Sequence, residues 1–353
     1  MLFGAKHKPL LGLDITTSSV KLVELGRSGG QLRVESYAAE ATPVNAVNEK
    51  NIVDADAVAE AIRRAVKRAG TKTTDVAVAI SGDAAITKII QLPARLSPSD
   101  IEGQVELQAD QYIPFPMEEV RHDFEVIGPS ARDAEMLDVL LVATRTENVE
   151  QRQAAVDSAG LRARVMDVES FALESACQLL THQMPDHGEN VTVALVDFGA
   201  SSTTFSVLRN LKVIYTRDFA FGGQQLTEEI MRTYGLSMED AGRAKKEGGL
   251  PSNYEPEVLD PFVDDMCQQV SRSLQFFLAA GGGRQQPDQI IVCGGCANIP
   301  GVDELIASRV GIPTVIGDPL GQMKISSRAK SQGVKKDATA LMTALGLALR
   351  SFD

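Results

Sequence analysis

Leu10-Leu11-Gly12-Leu13-Asp14-Ile15-Thr16-Thr17-Ser18-Ser19-Val20-Lys21-Leu22-Val23-Glu24-Leu25 is the stretch from which the rest of the chain can be read. An apolar run ending on an aspartate, a turn of small hydroxyl residues and a second apolar run predict strand, tight turn, strand. The pattern returns at Val191 to Val196, then Asp197-Phe198-Gly199-Ala200-Ser201-Ser202-Thr203. With Asp14 set on Asp197, 183 positions on, Ser18 falls on Ser201 and Ser19 on Ser202. Solenoid units run to about 50 residues, so a repeat of this period predicts two like α/β halves facing each other, each presenting a tight hairpin.

Working outward, Gln31–Tyr37 alternates as a third strand after the first hairpin, and 210–217 does so after the second. Helical spacing over Asp54 to Ala69, closed by Gly70, leads into a buried strand over Asp75 to Ile80. Strand periodicity stops at Gln91-Leu92-Pro93, and an acidic amphipathic segment opens at Ser97-Pro98. The expected organisation is a first lobe over 1–91 and 166–189, an inserted subdomain over 92–165, a second lobe over 190–235 and 286–353, and a smaller subdomain over 236–285. The tract Tyr112-Ile113-Pro114-Phe115-Pro116-Met117 joins two prolines to large apolar groups. It suits either a docking surface or a helix end packed on its own core.

Composition narrows the function classes. The chain has 353 residues, 44% apolar and 23% charged, as in an ordinary globular protein. A formal net charge of −12 argues against a broad nucleic-acid surface. No run approaches the ~18 uninterrupted apolar residues of a bilayer span, and residues 1–9 lack the apolar core of a secretory signal, so the expected location is the cytoplasm. Four cysteines fit a reducing compartment. Cys293-Gly294-Gly295-Cys296 has the spacing of a redox or half-zinc site, but Cys177 and Cys267 are lone residues in helical patterns and the four histidines form no ligand pair.

The paired hairpins suit phosphate holding. Backbone N–H groups of a small-residue turn converge on anionic oxygens where Cβ bulk would block approach. An aspartate at each strand end adds a hard oxygen ligand, and Mg²⁺ keeps most of its waters while using one or two carboxylates with substrate phosphates. Asp14 and Asp197 therefore suit a nucleotide-bound Mg²⁺, with Lys21 as a point charge over the phosphates. Two further glycine pairs end strands, at Phe221-Gly222-Gly223-Gln224 and Cys293-Gly294-Gly295-Cys296, where the backbone can lie close to a base or ribose. No P-loop or dinucleotide fingerprint occurs. The acid-free segment Lys324 to Lys336 carries five cations and reads as a solvated loop or a lipid-facing patch.

These residues resemble the actin-like ATPase superfamily of actin, the heat-shock chaperone ATPases and FtsA. More closely, the chain is similar to the PilM family of type IV pilus assembly. The passages that carry this are Leu11 to Ile15 with Ser19 to Leu22, Ala109-Asp110-Gln111-Tyr112-Ile113-Pro114, Asp167-Val168-Glu169, Val270 to Phe277 and Gly346 to Asp353. The resemblance implies a two-lobed actin-like ATPase fold with duplicated RNase H-like lobes and the inserted subdomain placed as in FtsA. It implies ATP and Mg²⁺ as cofactors. Asp14, Thr17, Ser18, Ser19 and Lys21 fall in the first phosphate motif; Asp197, Gly199, Ser201 and Ser202 match the second. Gly222 and Gly223 match its following turn, Lys245 a basic adenosine contact, and Gly294 and Gly295 the adenosine motif. Glu169 matches the acidic position that orients water in hydrolysing relatives, with Asp197 as base. At Gly242 those relatives carry an acid, so one ribose contact is missing.

The resemblance also implies a partner, the N-terminal cytoplasmic peptide of the membrane protein PilN, in a groove between the first lobe and the inserted subdomain. Tyr112, Ile113 and Phe115 are the candidates to line it. That peptide would recruit the chain to the inner membrane's cytoplasmic face without an anchor of its own, and the platform would link to the pilus motor ATPases and twitching motility. FtsA-like cell division, a type II secretion scaffold and a cycling ATPase are the alternatives.

Overall fold

The computed structural model describes residues 8–48, 51–130, 133–281 and 286–353. Strand β1 (Leu11–Ile15) pairs antiparallel with β2 (Ser19–Ser28), and β2 with β3 (Gln31–Ala41). A short hairpin, β4 (Val47–Asn48) and β5 (Asn51–Ile52), precedes α1 (Ala55–Ala69). Asp54 caps this helix by accepting from the Ala57 N–H, and Val58, Ala61, Ile62 and Ala65 face the sheet. Strand β6 (Asp75–Ile80) is parallel to β1.

The inserted unit follows: β7 (Ala85–Pro93), α2 (Pro98–Tyr112), β8 (Val120–Pro129) and β9 (Met136–Arg145), with sheet order β7-β9-β8. Ser97 and Asp100 form a capping box that starts α2. Ile101, Val105, Ala109 and Ile113 recur every fourth position and pack on Ile90, Leu92, Val139 and Leu141. Helix α3 (Thr146–Ser158) leaves this unit, because Ala155 and Val156 pack with the apolar face of α1. Strand β10 (Arg162–Val168) then joins the first sheet beside β6. The separate sheet thus spans 85–145, shorter at its end than the expected 92–165 and starting earlier.

The second lobe repeats the plan with β11 (Thr192–Phe198), β12 (Thr203–Arg209) and β13 (Lys212–Phe219) as antiparallel neighbours. Helices α5 (Gly223–Tyr234), α6 (Met238–Glu247) and α7 (Asp260–Ala279) intervene before β14 (Gln289–Gly294), α8 (Val302–Val310) and β15 (Thr314–Ile316). Its order, β13-β12-β11-β14-β15, matches β3-β2-β1-β6-β10 of the first sheet. Phe205, Phe221, Phe262 and Phe277 anchor its core.

The chain does not end in the second lobe, as the reading of 286–353 expects. Strand β16 (Lys324–Ile325) adds to β3, and α9 (Ser327–Ser331) follows. Helix α10 (Met342–Leu349) places Ala344, Leu345 and Ala348 in the core formed by Val23, Leu25 and Tyr37. It crosses α4 (Glu169–Cys177) so closely that a Cβ on Gly346 would lie 1.8 Å from the Ala172 carbonyl oxygen. The Tyr37 hydroxyl donates to Asp337 at 2.5 Å, and Arg350 pairs with buried Asp167 at 2.7 Å. Burying each of Leu341, Leu345 and Leu347 contributes about 1.5–3 kcal/mol, which explains why an apolar tail closes on the first lobe. Among the described residues no helix is long and apolar enough to cross a membrane.

Candidate functional site

The two hairpins have the same register. Asp14 faces Lys21 and Ile15 faces Val20; in the second lobe Asp197 faces Thr204 and Phe198 faces Thr203. The Thr16 N–H donates to the Ser19 carbonyl at 3.0 Å, and at the equivalent place Gly199 N–H donates to Ser202, also at 3.0 Å. Both turns face one cleft: the Thr17 hydroxyl donates to the Ser201 hydroxyl at 3.3 Å, a side-chain bond between the hairpins. Ser18 is exposed at the tip, while Thr17, Ser19, Gly199, Ser201 and Ser202 are half-buried.

Charge concentrates beneath the turns. Lys21 pairs with Asp14 at 2.8 Å, and both side chains are largely buried. Burial alone would lower the Lys21 pKa; Asp14, then Asp197 and Glu169, outweigh it and raise it. Lys21 is therefore neutralised across the hairpin instead of lying free over the turn. Thr204 holds the matching place in the second lobe, so the repeat differs in its cation. Glu169 opens α4 at the end of β10, where Val168 pairs with Ile80 of β6.

The opposite wall is built from close backbone contacts. A Cβ on Gly222 would sit 2.4 Å from the Ala200 carbonyl oxygen, and Gly294, at φ +87, would place one 2.2 Å from Phe198 O and 2.6 Å from Asp197 Oδ1. Beside Gly295 there is open space: no atom lies within 4 Å of where its Cβ would be. Lys245 Nζ donates to Gly223 O and Thr227 Oγ1, each at 2.6 Å, and burial lowers its pKa. Cys296 lies against Gly223, its thiol pushed up to about 11 by burial. Gly242 has nothing within 4 Å of its Cβ position, so no side chain fills the missing acidic contact. This cradle, tight at Gly222 and Gly294 and open at Gly295, fits a nucleotide.

The structure brings Asp14, Lys21, Asp197 and Glu169 into one electrostatic group and Lys245 onto the Gly223 turn. Cys293 packs in the core under α4, whereas Cys296 belongs to the second-lobe core. Among the described residues no three His, Cys, Asp or Glu side chains converge as a metal site. The peptide candidates divide. Ile113 is 4% exposed and belongs to the inserted unit's own core, so it cannot line a surface groove as expected. Tyr112 and Phe115 are exposed, and the Arg145 guanidinium lies 5.6 Å from the Phe115 ring centroid.

Sequence reading missed Arg152. It is 2% exposed, donates from Nε to the Ala79 carbonyl at 2.7 Å, and feels the charge of Glu169. Its position on the same face of α3 as Ala155 and Val156 was the available signal, since an arginine on an apolar stripe needs a buried acceptor.

Two sheets of one topology, whose matching hairpins close on a shared cleft, define the two-lobed actin-like ATPase fold. The profile of the type IV pilus assembly protein PilM family matches residues 12–352, and the chain belongs to that family. A solved PilM-PilN type IV pilus biogenesis complex is similar over 98% of this chain and 99% of the solved one, with 28% identity and a TM-score of 0.80. Cell division protein FtsA of Bacillus subtilis (strain 168) is 24% identical, over 92% of this chain and 85% of its own length. MreB5 of Spiroplasma citri bound to ADP shares the fold at 13% identity and a TM-score of 0.50, covering 96% and 94%.

Proposed function

We propose that the chain binds ATP with Mg²⁺ between the Thr16–Ser19 and Gly199–Ser202 turns and serves as an adaptor of the type IV pilus assembly platform. The observation that carries this reading is the Thr17–Ser201 contact between two hairpins of identical register. Backbone N–H groups of both turns, with the Ser18, Ser19, Ser201 and Ser202 hydroxyls, would hold the phosphates. Asp14 and Asp197 would hold Mg²⁺ through water, and Gly222, Gly223, Lys245, Gly294 and Gly295 would take the adenosine side. ATP supplies a polyanion that bridges the lobes. Lys21, already paired with Asp14, keeps that carboxylate oriented.

Asp197 as base and Glu169 as water positioner would permit hydrolysis. The partner in this reading is the N-terminal cytoplasmic peptide of PilN, supported by the likeness to a PilM-PilN complex. Tyr112 and Phe115 would contact it, and it would recruit the chain to the inner membrane's cytoplasmic face. The nucleotide carried by purified protein, released by denaturation and identified chromatographically when fresh and after several hours with Mg²⁺, tests the proposal. Retained ATP, one per chain, supports the adaptor. Conversion to ADP, abolished in Glu169→Gln, would make it a cycling ATPase; absence of nucleotide and of ATP binding would reject it.

A further inference from the structure

The acid-free segment that follows the second lobe is not a free loop. It adds β16 to β3 and folds back as α9, and its cations gather on one side of the first lobe. Arg33, Lys324, Lys330 and Lys335 line a surface cavity of about 470 Å³ together with the Ser28 and Ser327 hydroxyls. No acid lines it, although the chain carries 47 acidic residues against 35 basic ones. Lys330 and Lys335 are exposed and have no ion-pair partner among the described residues. Arg33 is loosely paired with Glu35 at 3.6 Å, and Lys324 donates to the Ser28 carbonyl at 3.3 Å.

A second cavity of about 430 Å³ continues the surface past Ser326 and Ser327 and adds Lys72 and Arg328. Two acids also line it: Glu24, already occupied by the hydroxyls of Ser36, Thr71 and Thr73 at 2.7–2.8 Å, and Glu35, which faces Arg33. Half-buried Met323 and Ile325 border the first cavity. Two unpaired lysines, an arginine and a lysine held loosely, and a shallow apolar border match phosphate-bearing headgroups. An acidic peptide would need an edge strand or an apolar groove to set its register, and β16 offers two residues. A lipid surface supplies many mobile phosphates in one plane and needs no register.

We propose that the Arg33, Lys324, Lys330 and Lys335 surface binds the headgroups of an anionic bilayer directly. This contact is separate from the nucleotide cleft and from the peptide groove, and it does not depend on either reading. The net charge of −12 makes it orientation-specific, since other faces are repelled. Each surface cation contributes about a five-fold gain in partition to anionic membrane, and the attraction is screened as the Debye length falls toward ~3 Å at 1 M salt.

The test is vesicle flotation with the full chain, using phosphatidylglycerol–phosphatidylcholine vesicles against phosphatidylcholine alone. Lys330→Gln/Lys335→Gln should bind anionic vesicles about 25-fold more weakly. Lys88→Gln/Arg121→Gln, which removes the same charge from exposed positions of the inserted sheet, should stay within two-fold of wild type. Wild-type binding should vanish in high salt and on neutral vesicles. The proposal falls if anionic vesicles are not bound, if the two double variants lose binding equally, or if the cavity variant is unaffected. It also falls if pyrophosphate titrates the Lys330 and Lys335 signals by NMR while vesicles are ignored, which would make the ligand a soluble phosphate.

Discussion

Replacing Lys21 by methionine isolates the charge arrangement under the first hairpin. The ammonium lies 2.8 Å from Asp14, with side-chain exposures of 15% and 7%, so removal leaves a buried carboxylate without its counter-ion. Breaking a buried pair from one side costs about 3–5 kcal/mol. Because Asp197 and Glu169 also act on Lys21, the loss should fall near ~4 kcal/mol. Lys21→Met/Asp14→Asn removes the orphaned charge and should recover about half of it, ~2 kcal/mol, because the two sites are in contact and their effects are not additive. Urea unfolding followed by circular dichroism gives both values.

The pH sign is set by the raised pKa of Lys21. The pair's contribution is complete below the unfolded value of about 10.4 and is lost as pH climbs through the higher folded one. The gap between wild type and Lys21→Met should therefore be flat near neutrality and close in strong alkali. A Lys21→Met chain within 1 kcal/mol of wild type, or a double variant no more stable than the single, would refute the reasoning.

Tyr37→Phe should destabilise by about 1–3 kcal/mol, because it strips the hydroxyl from Asp337 and loosens the C-terminal segment from the first lobe; limited proteolysis should then cut near residue 337 sooner than in wild type. Ile113→Ala should cost about 2–5 kcal/mol by opening the inserted unit's core, whereas Phe115→Ala should leave unfolding within ~1 kcal/mol. In a peptide-binding titration the order reverses, with Phe115→Ala weakening PilN-peptide affinity in a chain that remains folded.

The duplicated hairpins were legible because their information is local: a turn of small residues between apolar runs sets its own register. Counting back from the turn, with Thr16 bonded to Ser19, puts Asp14 opposite Lys21, so even the ion pair could be derived from the spacing. Ile113 reads as core from its helical spacing with 101, 105 and 109 and as surface from the prolines and aromatics beside it, and the spacing is what the fold obeys. The return of residues 324–353 was not legible. A two-residue strand has no periodicity, and an apolar helix such as α10 carries no pattern that names its lobe; its pairing of Arg350 with Asp167 is set only by the fold. Arg152 needed the fold for the same reason, because its acceptor is a carbonyl 73 positions away.

Calorimetric titration of ATP with Mg²⁺ into wild type and Gly295→Leu, each first stripped of any carried nucleotide, tests the central claim most directly. No protein atom lies within 4 Å of a Cβ placed on Gly295, so the backbone there accepts a side chain and the variant should fold as wild type does, which its urea unfolding curve checks. The account predicts one ATP site per wild-type chain and no measurable binding in Gly295→Leu. No heat from wild type, or the same isotherm from the variant, would contradict it.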